Sequence, residues 1–129
     1  MSRKSVFISL SALMLVLMLT SFTIDSPAKR FTPVGVWEYS VPGVQPGYES
    51  GTMIISRDGK EYKVTLKLNE YFKVDAEKVV YKRKSLSFTV WVETEEIRIS
   101  GSFEENTFSA TLSYFEGDFK LIASRKLVE

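Results

Sequence analysis

Residues 85–114 read SLSFTVWVETEEIRISGSFEENTFSATLSY, and the alternation in this stretch decides the fold. Successive side chains of a strand point to opposite faces of its sheet. Leu86, Phe88, Val90 and Val92 therefore share one face, with Ser85, Ser87 and Thr89 on the other. Ile97, Ile99, Gly101 and Phe103 oppose Glu96, Arg98, Ser100 and Ser102. Phe108, Ala110, Leu112 and Tyr114 oppose Thr107, Ser109, Thr111 and Ser113. Only Thr94-Glu95 and Glu105-Asn106 separate the three runs, too little for anything but hairpin turns between antiparallel neighbours.

The pattern extends in both directions. Val34–Val41 reads as the first strand, followed by the loop Pro42-Gly43-Val44-Gln45-Pro46-Gly47. Ser50–Ser56 and Glu61–Leu68 flank Asp58-Gly59, a strong hairpin signal. Tyr71–Val74 and Val79–Lys82 read as two parts of one strand, broken near Asp75-Ala76-Glu77 by a bulge or bend. Ser85–Glu93, Glu96–Phe103, Thr107–Tyr114 and Asp118–Leu127 complete the set, with Arg83-Lys84 and Glu116-Gly117 as the remaining turns. The expectation is an all-β chain: a single eight-stranded up-and-down antiparallel barrel. Closing the sheet hides its apolar face and removes its exposed edges.

Turned inside out, the same parity describes a small outer-membrane barrel with an apolar outer band. Such bands need about 9–11 residues per strand. Several strands here are shorter, and the chain ends in Leu127-Val128-Glu129 rather than on an aromatic residue, so apolar-inside is the preferred sense.

Ahead of the barrel, Ser2-Arg3-Lys4 is a basic n-region and Val6 to Leu19 is almost wholly apolar. A run of about 14 residues is short for a membrane span and fits the core of a secretory signal peptide, with an uncleaved N-terminal anchor as the alternative because no clean A-x-A site follows. The expected division is 1–28 for signal peptide and short leader, with cleavage near 23–28, then 29–34 as linker and 35–128 as barrel. No cysteine follows the apolar run, which excludes a lipid-anchored lipoprotein. Export places the mature chain in the periplasm or outside the cell, and its only membrane association is the signal segment.

The full chain has 17 Lys and Arg against 16 Asp and Glu; removal of Arg3, Lys4 and Asp25 leaves equal numbers. A neutral chain without a basic cluster excludes nucleic acid as the main partner. With no cysteine, the exported domain has no disulfide framework and depends on its core. The chain also has no histidine, so nucleophile–base pairs and soft metal sites lack their usual members. Glu93, Glu95 and Glu96 crowd one turn and Glu104-Glu105 another, and both groups read as solubilising charge. Gly43 and Gly47 precede a strand rather than a helix, so no phosphate loop is present. The expectation is a non-enzyme with no catalytic residues, metal or cofactor.

Gly35 and Trp37 open the first strand in Pro33-Val34-Gly35-Val36-Trp37, and Arg125 closes the last in Leu121-Ile122-Ala123-Ser124-Arg125. Arg125 shares the inward face with Phe119, Leu121 and Ala123, where a charge is costly unless it is hydrogen-bonded or stacked. In this pairing the chain resembles small secreted bacterial lipocalin-like (calycin-type) proteins. Their Gly-x-Trp on the first strand packs under an arginine from the last. The resemblance covers residues 33–127 as a pattern, without the helical lid, second motif or C-terminal helix of larger relatives. It implies that Gly35, Trp37 and Arg125 are an end-plug, and that ligand contacts come from the inward face toward the other end. The candidates are Tyr39, Tyr62, Leu66, Phe88, Val90, Leu112 and Tyr114. The implied partner is a small hydrophobic molecule bound by a monomeric carrier. The alternative is a filled-core, inhibitor-like module that meets an envelope or secreted protein through its surface, with outward Trp91 or the turn aromatics Tyr71, Phe72, Tyr114 and Phe115 as contacts.

Overall fold

The structure, a computed structural model, describes residues 30–127; the signal-segment expectation for 1–28 lies outside them. All regular structure from Thr32 onward is strand: β1 (Gly35–Ser40), β2 (Ser50–Asp58), β3 (Glu61–Lys67), β4 (Lys73–Asp75), β5 (Glu77–Lys82), β6 (Ser85–Val92), β7 (Glu95–Glu104), β8 (Thr107–Tyr114) and β9 (Gly117–Arg125). They form one antiparallel sheet in the order β4-β3-β2-β1-β9-β8-β7-β6-β5. First and last strands pair, Trp37 opposite Arg125 and Tyr39 opposite Ala123, so the sheet curls into a nearly closed barrel.

There are nine strands rather than eight, because the expected fourth strand changes neighbour partway. β4 pairs only with β3, through Thr65↔Asp75 to Lys67↔Lys73, whereas β5 pairs only with β6. Ala76 carries the chain between them, its N–H donating to the Val64 carbonyl at 2.8 Å. A register shift between Glu77 and Val80, with Lys78 at φ 54°, bends β5 at that point. The bulge was legible; the division into two strands was not.

Five connections are two-residue hairpins, shown by the closing pairs Asp58↔Glu61, Lys82↔Ser85, Val92↔Glu95, Glu104↔Thr107 and Tyr114↔Gly117. Their turn residues are Gly59-Lys60, Arg83-Lys84, Glu93-Thr94, Glu105-Asn106 and Phe115-Glu116. The expected Asp58-Gly59, Thr94-Glu95 and Glu116-Gly117 turns are each displaced by one position. At Arg83-Lys84 and Glu93-Thr94 both turn residues have positive φ, which matches the right-handed twist of the flanking strands.

The apolar face is inside. Leu86, Phe88, Val90, Ile99, Phe108 and Leu121 are buried, while Lys63, Lys67, Arg98, Ser100, Ser109, Thr111, Lys120 and Ser124 stand exposed on the outer face. One end is packed with rings. Trp37 is fully buried and lies 4.9 Å from Phe103, which in turn lies 4.5 Å from Phe108 and 6.1 Å from Tyr81. Gly101 lets the β7 and β8 backbones approach closely, since a Cβ there would collide with the Ser109 carbonyl and with Ala110.

Candidate functional site

The two ends of the barrel differ. At the ring-packed end the Arg125 guanidinium carbon lies 4.5 Å from the Trp37 ring centroid. Arg125 Nε donates to Asn106 Oδ1 at 3.1 Å, Nη1 to the Val34 carbonyl at 2.8 Å and Nη2 to the Thr32 carbonyl at 2.6 Å. Trp37 Nε1 donates to the Pro33 carbonyl at 2.9 Å. Part of the expected linker therefore belongs to the plug, with Pro33 buried and the Thr32, Pro33 and Val34 carbonyls all in use. Gly35, at φ 148°, leaves room for the arginine: a Cβ there would stand 2.9 Å from Arg125 Nη1. At this end the donors of Trp37 and Arg125 are matched by nearby acceptors.

Toward the other end the rings give way to aliphatic side chains and the interior opens. A cavity of about 170 Å³ is walled by Leu66, Leu68, Val90, Val92, Ile99 and Leu121, with Ile97 and Leu112 higher on the wall. Its mouth lies among three connections: Val44, Gln45 and Tyr48 from the β1–β2 loop, Glu93 and Glu95 from the β6–β7 hairpin, and Phe115 and Glu116 from the β8–β9 hairpin. A cavity of this size is comparable to an engineered one of about 150 Å³ that accepts benzene.

Five of the seven sequence candidates line this space: Tyr39, Leu66, Val90, Leu112 and Tyr114. Tyr62 and Phe88 do not. Tyr62 follows the β2–β3 hairpin and sits at the plug end, 4.9 Å from Tyr81 and beneath Arg57. Phe88 is buried in the core between the two regions, only 2% exposed. Parity assigns a side chain to the inside of a barrel but not to a height within it. Sequence reasoning missed Tyr48, Glu93, Glu95 and Glu116, which come from turns and loop-adjacent positions where alternation carries no information.

The polar groups of the site are few. Tyr39 is 5% exposed, and its ring lies across Gly51, the residue opposite it on β2. Its hydroxyl has no protein hydrogen-bond partner among the described residues, and burial pushes its pKa up to about 12. At the mouth, the Tyr48 hydroxyl donates to Glu93 Oε1 at 3.3 Å and the Tyr114 hydroxyl to Glu116 Oε2 at 2.9 Å. The Glu93 charge, followed by burial, raises the Tyr48 pKa. Burial, the Glu116 hydrogen bond and the charges of Glu116 and Glu95 raise that of Tyr114. Tyr114 also stacks on Phe119 at 5.4 Å, which fixes its ring at the rim. The arrangement can enclose a small apolar body and offer hydrogen bonds at its wet end. Of the aromatics expected at the turns, Phe115 reaches the mouth, whereas Tyr71 and Phe72 do not line it; Trp91 is half exposed on the outer face and donates to Glu77 Oε1 at 2.8 Å. No family model matches the chain, and no curated protein matches it.

Proposed function

We propose that this chain is a non-enzymatic, exported carrier that holds one small, mainly apolar molecule in the open half of its barrel. The observation that carries the reading is the cavity of about 170 Å³, walled largely by aliphatic side chains and bordered by Tyr39 and by turn residues. Pockets of this kind, apolar with a few convergent polar groups, are where small ligands bind. The lipocalin-like pairing of Gly35, Trp37 and Arg125 supports the same reading, as it puts the plug at one end and the ligand at the other. The signal-like residues 1–28 support export to the periplasm or outside the cell, and the proposed carrier acts as a monomer. A chain without histidine or cysteine has few groups for catalysis.

A second reading, a module acting on a protein partner through its surface, draws on the exposure of Tyr71 (93%) and Phe115 (75%) beside two turns of the same end. Native mass spectrometry of the chain, purified without detergent from its own host and then extracted with organic solvent, separates the two. The carrier reading expects a stoichiometric small molecule that is lost in Leu112→Trp, which fills the cavity from a partly exposed wall position. A bare mass, together with indifference of the melting temperature to small apolar compounds, would overturn it in favour of the surface module.

A further inference from the structure

The charge at the cavity mouth selects among apolar ligands. Glu93, Glu95 and Glu116 all border it, and no lysine or arginine is among the lining residues. None of the three is ion-paired among the described residues, where the salt bridges are Lys63–Asp58 and Arg98–Glu96. Two of them already accept from tyrosine hydroxyls, Tyr48 and Tyr114, which orients the carboxylates without neutralising them. The three do not converge into a metal-binding cluster; no such group exists among the described residues. They border the opening instead, together with Tyr114 and Phe115, whose rings meet edge-on at 5.6 Å. Carboxylates with aromatic faces are a surrounding that favours an ammonium group, which donates to the former and is attracted by the latter. Deeper in the cavity, Tyr39 is 5% exposed as a residue and its hydroxyl makes no protein hydrogen bond among the described residues, so a purely hydrocarbon occupant would give that hydroxyl no partner.

We propose that the cavity takes a small organic cation, an amine on one aromatic ring or a short alkyl chain, its apolar body against Leu66, Val90 and Leu121 and its ammonium in the field of Glu93, Glu95 and Glu116. The inference rests on the carrier reading and names its ligand class. An alkyl or aryl carboxylate of the same shape meets three like charges and is rejected. A neutral alcohol binds through the walls alone. Each exposed ion pair is weak, so the preference comes from the sum of several.

The test compares three probes of similar shape on the full chain by calorimetric titration: 2-phenylethylammonium, 2-phenylethanol and 3-phenylpropanoate. The expected order is cation, alcohol, anion, with the cation preferred to the alcohol by about tenfold. In the triple variant Glu93→Gln, Glu95→Gln, Glu116→Gln that preference collapses, while the alcohol binds as before, which also shows the cavity to be intact. Equal binding of cation and alcohol to the parent chain, or a preference that survives in the triple variant, overturns the amine assignment and leaves the carrier reading standing. No binding of any of the three overturns both.

Discussion

Each nitrogen of the Arg125 guanidinium donates, to Asn106, Val34 and Thr32 respectively, while its face covers Trp37. A lysine has neither the planar fork nor the stacking surface. Arg125→Lys is therefore expected to lower the unfolding free energy by about 1–3 kcal/mol, read from denaturant unfolding at neutral pH. An unchanged midpoint would mean that the plug contributes nothing. Tyr39 behaves differently, since its hydroxyl has no protein partner to lose. Its folded pKa lies near 12 against the ordinary 10, so above pH 10 the unfolded chain gives up this proton first and gains stability relative to the fold. The contribution is complete below pH 10 and disappears as pH rises toward 12. Tyr39→Phe should have nearly the parent's stability at pH 7 and lose about 2 kcal/mol less between pH 9 and 12. Parallel falls for the two proteins would contradict the burial of this hydroxyl. That Arg125 faces inward was legible from its parity with Leu121 and Ala123. The height of Tyr39 and Tyr62 was not, because both alternate correctly and only the three-dimensional stagger of the strands separates them.

Among the elements, the hairpins show where sequence pattern is strong and where it fades. Strands β6, β7 and β8 follow from strict alternation, and their burial largely does too, except at Thr89, which alternation puts on the outer face and which is only 6% exposed. The Glu105-Asn106 turn between β7 and β8 stands where it was expected, whereas the β6–β7 turn slipped by one position because alternation ends where a turn begins, and Val92-Glu93-Thr94-Glu95 permits more than one two-residue loop. The structure selects Glu93-Thr94, which places Thr94 at φ 71°. A β-branched residue in that region is strained. Thr94→Gly is expected to raise stability by about 1 kcal/mol, measured as a higher denaturation midpoint with unchanged slope. A lower midpoint would show that the turn is not of this type. The β4–β5 division is a similar case: Tyr71–Lys82 reads as one interrupted strand, but nothing in its residues states that the two halves pair with different neighbours. The long-range pairing of β3 with β4 and of β5 with β6 decides that.

At the scale of the molecule, one sheet encloses two unlike interiors. Rings fill the end at Trp37, Phe103 and Phe108; aliphatic side chains border a cavity at the end where Glu93, Glu95 and Glu116 stand. The sequence showed a barrel with its apolar face inward, and five of seven named residues reach the cavity. Its existence was not legible, since the interior of a barrel of about eight strands can equally be filled by side chains, and the acidic rim read as solubilising charge because turn residues have no parity. The most direct test of the central claim is the methyl NMR spectrum of the full chain under xenon or with added benzene, ligands that enter dry cavities of this size. Saturable shifts confined to the methyl groups of the cavity wall, those of Leu66, Val90, Leu112 and Leu121 foremost, with Val64, Met53 and the methyl groups near Trp37 unmoved, are the predicted result. An absence of saturable shifts at the four named residues would contradict it and leave a filled barrel.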